Sequence, residues 1–273
     1  MLDRYNRNIN YLRVSVTDRC NLRCTYCMPE SGIRLLAHED ILNFDEILEV
    51  VRVAVAMGVN KVRITGGEPL VRKGITDLVR MIAGIEGITD LGMTTNGIML
   101  PKFAGELKEA GLHRVNVSLD SMDPEKYKAI TRIGSLQDAL KGIDAAIEAG
   151  LTPVKINCVV DKNILRVDEL SPNSSAGKVK AFADSKGLQI RFIPQMDLHK
   201  GTFGEVIGGS GGHCASCNRL RLTPDGMIKP CLFSDLAYSV RELGTKQALL
   251  MAVENKPSRG SSSQKSDFYN IGG

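Results

Sequence analysis

Three cysteines, Cys20, Cys24 and Cys27, stand in the spacing C-x3-C-x2-C. They directly follow residues 11–17, Tyr-Leu-Arg-Val-Ser-Val-Thr, which read as a β-strand. Iron–sulfur clusters are held by cysteine thiolates, usually four for each [4Fe–4S] cube. A loop that offers three leaves one iron without a protein ligand, and an open metal position is what a catalytic site keeps. A small molecule bearing an amino and a carboxylate group can chelate such an iron. Two other readings compete. A zinc knuckle wants a fourth ligand, and the histidine nearby is His38. Buried thiols fit poorly with Asp18, Arg19, Asn21 and Arg23 as neighbours.

A second triplet, Cys214, Cys217 and Cys231, has the spacing C-x2-C-x13-C. Between its members lie Arg219-Leu220-Arg221-Leu222 and the turn Pro224-Asp225-Gly226, so the stretch reads as a strand, a turn and a return carrying three thiolates. Spacing alone leaves zinc, with His213 as fourth ligand, beside a second cluster. The seventh cysteine, Cys158, sits in an apolar strand and reads as a core thiol. Two triplets of metal-type spacing and one singleton do not form a disulfide framework.

The elements that must position these residues alternate. Strands are expected at 61–65, 88–94, 113–119, 153–160 and 188–193, after the first at 11–17. Helices are expected from Asn43, an N-cap with Glu46 three residues on, to Gly58, and at 74–85, 101–110, from Asp123-Pro124, at 136–149 and near 177–185. Six strand–helix units predict a parallel sheet with right-handed crossovers. Strands covered on both faces read as continuous apolar runs, but several here alternate. Arg13, Ser15 and Thr17 share a face, as do Arg63 and Thr65, Asn116, Ser118 and Asp120, and Lys155 and Asn157, with Arg191 on the last strand. With helices over the apolar face, the polar face must line an interior that holds water or ligand, because unpaired charges in a dry centre cost several kcal/mol apiece. Few carboxylates alternate on those faces. The expected architecture is an open, six-stranded (βα)6 partial barrel over residues 1–195, with a small C-terminal extension over 196–273 carrying the second cysteine triplet. Active groups of such barrels gather at the carboxyl ends of strands. The cysteine loop, Gly66-Gly67-Glu68-Pro69, Thr94-Thr95-Asn96-Gly97 and Ser118-Leu119-Asp120 all fall there.

Composition sets outer bounds. The chain has 273 residues, 43% of them apolar, enough for a large core. The formal charge of +4 is too mild for a nucleic-acid stripe and suits an anionic small molecule. No apolar run approaches the roughly 18 residues of a membrane span, and residues 1–7 lack a signal-peptide core, so a cytoplasmic protein is expected.

The first triplet, with Tyr26 just before its third cysteine, resembles the radical S-adenosylmethionine (SAM) superfamily, and Gly66-Gly67-Glu68-Pro69 is similar to its motif for the methionine amino group. That resemblance implies a [4Fe–4S] cluster whose fourth iron binds SAM and whose electron cleaves it to a 5′-deoxyadenosyl radical. Residues 7–13, 20–29, 63–69, 116–120, 153–157 and 214–231, with the Gly272-Gly273 end, resemble the GTP 3′,8-cyclase family of molybdenum-cofactor biosynthesis. The resemblance implies a lyase with two [4Fe–4S] clusters. It places Cys20, Cys24 and Cys27 on the first, and Cys214, Cys217 and Cys231 on the second. Tyr26, Gly66, Gly67, Glu68, Ser118 and Met196 fall to SAM, and Arg13, Arg63, Thr94, Lys155, Arg191, Arg219, Arg221, Gly272 and Gly273 to GTP. It also implies an electron donor such as flavodoxin or ferredoxin, a downstream cyclic pyranopterin monophosphate synthase, a homodimer as one assembly, and neither membrane nor nucleic acid as partner. One departure stands out. The segment 194–212 is short for the family and ends in Gly208-Gly209-Ser210-Gly211-Gly212, which reads as a bare linker. A paralogue acting on another nucleotide, a pterin-related substrate or a peptide is the alternative, and a plain iron–sulfur electron carrier is the non-catalytic one.

Overall fold

The computed structural model describes residues 1–164 and 166–271. The first six strands are β1 (Tyr11–Ser15), β2 (Lys61–Thr65), β3 (Asp90–Thr95), β4 (Arg114–Ser118), β5 (Lys155–Val160) and β6 (Gln189–Pro194). Helices α1 (Phe44–Ala56), α2 (Ile75–Ala83), α3 (Leu100–Glu109), α4 (Pro124–Thr131), α5 (Leu136–Glu148) and α6 (Ser175–Ser185) connect them. All five neighbouring pairs from β1 to β6 are parallel, as the alternation of strands and helices requires.

Local chemistry sets the ends. Asn43 caps α1 through a reciprocal box, its Oδ1 accepting from the Glu46 N–H at 3.0 Å while Glu46 accepts from the Asn43 N–H at 2.7 Å. Ser174 caps α6, its hydroxyl accepting from the Gly177 N–H at 3.0 Å, so the turn before Ser175 is the lead-in to that helix. Strand β1 stops at Ser15, two residues before the expected end. There the carbonyl of Thr17 turns to accept from the Gly67 N–H at 2.7 Å, and the glycine loop replaces the ladder.

The C-terminal part joins the same sheet. Strand β7 (Arg219–Leu222) pairs in parallel with β1, and β8 (Met227–Lys229) and β9 (Tyr238–Ser239) return antiparallel. The sheet order is β6-β5-β4-β3-β2-β1-β7-β8-β9. Helices α7 (Val240–Leu243) and α8 (Thr245–Glu254) follow, and α9 (Phe268–Ile271) ends the described chain.

Alternation sorts the side chains as expected. Leu12, Val14, Val62, Ile64, Val115, Val117 and Ile156 are buried in one continuous core beneath the helices. Arg13, Arg63, Asn116, Asn157 and Arg191 line the opposite, concave face.

The segment before the second triplet is not a bare linker. Phe192 and Ile207 exchange both backbone hydrogen bonds at 3.0 Å, and the Val206 N–H donates to the Gly211 carbonyl at 2.8 Å. Gly208 and Gly212 take φ of 76° and 85°, the left-handed region that glycine enters freely. The glycines make the tight turn, and the folded segment forms a wall of the concave side. Their low complexity mimics flexibility in sequence and serves curvature in the structure.

Candidate active site

Two cavities adjoin at the carboxyl ends and concave face of the sheet. The first, about 200 Å³, is lined by Cys20, Cys24, Cys27, Tyr26, Gly66, Gly67, Thr94, Ser118 and Met196, among others. All three cysteines are free thiols. Burial first, then the charges of Asp120 and Cys20, pushes the Cys24 thiol up to about 12. Burial, then Cys24 and Cys20, does the same to Cys27. Burial keeps the three thiols protonated, with repulsion between cysteines adding to it at Cys24 and Cys27, and a cationic metal group arriving there would release their protons. Among the described residues no three His, Cys, Asp or Glu side chains close on the point a single ion would occupy.

The glycine loop shows why its residues are small. A Cβ on Gly66 would lie 2.7 Å from the Thr17 carbonyl, and one on Gly67 would run into the Arg19 carbonyl. The loop is pressed onto the entry to the cysteine loop, leaving backbone rather than side chain at the cavity wall. Glu68 does not line the cavity. It is 1% exposed and accepts from the Leu70 N–H at 3.1 Å, the Thr95 hydroxyl at 2.7 Å and the Asn96 N–H at 2.7 Å. Burial lifts its carboxyl to about 7 against those donors. It therefore ties the glycine loop to the β3 exit from behind. Asp120, not among the expected site residues, does the equivalent job across the cavity: its Oδ2 accepts from the Tyr26 hydroxyl at 2.8 Å and its Oδ1 from the Val159 N–H at 2.7 Å. An acid at a strand exit was visible in sequence, but its partners were not.

The second cavity, about 340 Å³, is the concave lumen, and it shares Asn157, Ile193 and Met196 with the first. Among the described residues, eight lysines and arginines line it against one carboxylate, Asp90. Arg13, Arg63 and Arg221 stand side by side on neighbouring strands by register, roughly 5 Å apart. Arg63 is 3% exposed and donates to the Tyr11 hydroxyl and to Asn116 Oδ1, both at 2.9 Å. Its reach needs Gly92, the register partner on β3, where a Cβ would sit 3.1 Å from the guanidinium carbon. Burial first, with Arg221, Arg63 and Arg219 adding repulsion, depresses Arg13 to about 9, although Tyr11 opposes this. Burial raises the Tyr11 phenol, but Arg63, Arg13 and Arg219 outweigh it and bring it down to about 8. Such a row of crowded cations is complementary to a polyanion, whose oxygens take guanidinium forks two at a time.

Cys214, Cys217, Cys231, Arg191, Arg219 and Arg221 all line this lumen, so the second triplet faces the cationic row. Arg219 also donates to the Ser210 hydroxyl at 2.7 Å. Lys155 stays outside the lining, yet burial and then Arg191, Arg114 and Arg63 lower it, which places it at the edge of the same field. Thr94 faces the first cavity rather than the lumen. His213 turns its Nδ1 to Glu205 Oε1 at 3.1 Å. Gly272 and Gly273 lie outside the described residues.

Sequence reasoning passed over Tyr11, Lys61, Asp90, Arg114 and Lys256, which also line the lumen. The period of two carries Tyr11 onto the face of Arg13 and Asp90 onto that of Thr94, so the signal was there for both. Asp90 is taken up by Arg114, whose Nε donates at 3.0 Å and Nη2 at 2.5 Å, so the one internal acid neutralises one cation of the row.

A family model for the radical SAM superfamily matches residues 14–166. A GTP 3′,8-cyclase of Thermodesulfovibrio yellowstonii is 46% identical, the match covering 89% of this chain and 88% of that one. That of Petrotoga mobilis is 42% identical over 89% and 87%. The match to the enzyme of Peptoclostridium acidaminophilum, 40% identical, takes 320 aligned positions to cover all of this chain and 98% of the relative. The alignment is therefore longer than the 273 residues of this chain, which carries gaps against that relative. Among solved structures, native anSMEcpe with bound AdoMet superposes with TM-score 0.63 at 16% identity, covering 90% of this chain and 81% of that one. Streptococcus suis SuiB bound to S-adenosylmethionine gives 0.59 at 15%, over 91% and 64%. At these identities the two structures speak for the fold. The chain belongs to the radical SAM superfamily and, within it, to the family of GTP 3′,8-cyclases.

Proposed function

We propose that this chain is a radical SAM GTP 3′,8-cyclase, a lyase that makes (8S)-3′,8-cyclo-7,8-dihydroguanosine 5′-triphosphate from GTP in molybdenum-cofactor biosynthesis. The observation that carries the reading is the shared wall of Asn157, Ile193 and Met196 between a three-thiol cavity and a cation-lined lumen. Cys20, Cys24 and Cys27 hold one [4Fe–4S] cluster, and Cys214, Cys217 and Cys231 hold the other. A [4Fe–4S] cluster held there by Cys20, Cys24 and Cys27 would supply the electron for SAM cleavage and so the radical chemistry at C3′ of GTP.

The chain's own residues do the rest. Gly66 and Gly67 present backbone to the methionine end of SAM, and Glu68 fixes that loop from behind. Tyr26, Ser118 and Met196 complete its wall. Arg13, Arg63, Arg191, Arg219 and Arg221, with Lys155 at the edge, take the triphosphate, and Thr94 lies toward SAM. Holding ribose and guanine in one geometry within the lumen favours ring closure over escape of the radical. The electron comes from a flavodoxin or ferredoxin, the product passes to cyclic pyranopterin monophosphate synthase, and a homodimer is the assembly we assign. Among the described residues no helix is long and apolar enough to cross a membrane.

The test is anaerobic incubation of the reconstituted protein with SAM, dithionite and GTP, followed by mass spectrometry. The cyclised nucleotide with 5′-deoxyadenosine is expected. SAM cleavage with GTP returned intact would overturn the substrate and leave the superfamily standing.

A further inference from the structure

Lys256 lies just after α8, and its side chain is buried, 1% exposed. Its ammonium donates to the Arg219 carbonyl at 2.8 Å and to the Pro230 carbonyl at 2.5 Å. The first carbonyl lies two residues past Cys217 and the second one residue before Cys231. Cys217, Cys231 and Lys256 line the same cavity. An ammonium carries three N–H donors, and two of them are spent on the backbone beside these cysteines.

Arg7, also buried, holds the third. Its Nε pairs with Asp3 at 2.6 Å, its Nη1 donates to the Cys214 carbonyl at 2.9 Å, and its Nη2 donates to the Pro257 carbonyl at 2.8 Å. The residue after Lys256 is thereby stitched to the backbone of Cys214. The two cations differ in one respect. Arg7 has a carboxylate, whereas among the described residues the acceptors of Lys256 are two carbonyls. Burying an ammonium without an anion costs several kcal/mol, so the pattern asks for negative charge at the cysteines.

We infer that Lys256 is the resident counter-ion and strut of the second cysteine site: it fixes Cys217 and Cys231, raises the reduction potential of the cluster they hold, and Arg7 with Asp3 fixes Cys214. The inference rests on the reading that this triplet binds a [4Fe–4S] cluster. Cluster potentials follow net charge, and a methionine at 256 would remove the charge while keeping an unbranched chain of similar reach.

The experiment compares full-length, anaerobically reconstituted wild type with Lys256→Met and Lys256→Arg. Iron and sulfide are counted first. About eight irons in the wild type uphold two cubes, whereas about four would overturn the reading of the second triplet and the inference with it. With eight present, a potentiometric titration followed by electron paramagnetic resonance gives each cluster its own midpoint. In Lys256→Met the reduced-to-oxidised ratio of the second cluster should fall at least tenfold at fixed potential, about 59 mV for a one-electron couple. The first cluster should not move, and Lys256→Arg, which keeps the charge, should stay within about threefold (an effect well under one decade, hence under about 59 mV). An unmoved potential in Lys256→Met, or equal shifts in both variants, would overturn the inference while the two-cluster reading stands. If circular dichroism shows Lys256→Met unfolded, Lys256→Gln carries the same comparison.

Discussion

Raising the pH should weaken nucleotide binding through Tyr11, and the size of the effect can be worked out. The phenol lies in the cation row, accepts from Arg63 at 2.9 Å and sits at about 8. A polyanion in the lumen penalises the phenolate and returns the phenol to at least its ordinary value of about 10. Ligand therefore prefers the protonated form, and affinity falls as pH rises through 8. With those two values, linkage gives about a tenfold rise in Kd between pH 7 and pH 9, about 1.4 kcal/mol. Arg13, at about 9, adds a further loss of about twofold at pH 9 by the same reasoning. The assay is calorimetric titration of GTP, at constant ionic strength, into wild type and Tyr11→Phe. The ratio of the two Kd values cancels titration of the nucleotide. It should change by about tenfold across the interval. A flat ratio would refute the placement of Tyr11 in the anion site.

Three other outcomes follow from the geometry. Gly92→Val should push the Arg63 guanidinium from its place, because even a Cβ comes within 3.1 Å of it. The KM for GTP should rise about tenfold, the loss of one charge-assisted hydrogen bond, while SAM binding by equilibrium dialysis is unchanged. Glu68 has its carboxyl raised to about 7 in the folded chain, so the folded state binds the extra proton. Its stabilising contribution is complete below about pH 4.5 and is lost as pH rises through about 7. In Glu68→Gln, urea titrations should show that decline reduced by about 3 kcal/mol relative to wild type; identical pH slopes would contradict it. Replacing Cys214, Cys217 and Cys231 together by alanine should lower the iron count from about eight to about four, and SAM binding should persist.

Period-two alternation made the lumen legible, because a parallel sheet under helices leaves polar side chains one place to go. Arg13, Arg63, Asn116 and Asn157 are where that argument puts them. The strands were legible within a residue or two, since apolar runs and caps act locally. What sequence hid is what depends on long-range closure. β7 reaches β1 across some two hundred residues and brings Arg219 and Arg221 beside Arg13. Lys256 sits in an unpatterned turn, and nothing local tells where a four-carbon stem ends. Asp90 reduces the row by one cation through Arg114, a pair set by strand register rather than by neighbours in sequence. The glycine run before His213 misled because turn glycines and linker glycines are the same residues.

In the proposed reaction the three-thiol cavity delivers a radical to a nucleotide held in the adjoining lumen. The most direct measurement uses GTP deuterated at C3′, with SAM and dithionite, on the anaerobically reconstituted chain. Deuterium should appear in 5′-deoxyadenosine and the nucleotide should emerge cyclised. Undeuterated 5′-deoxyadenosine beside unchanged GTP would contradict the account.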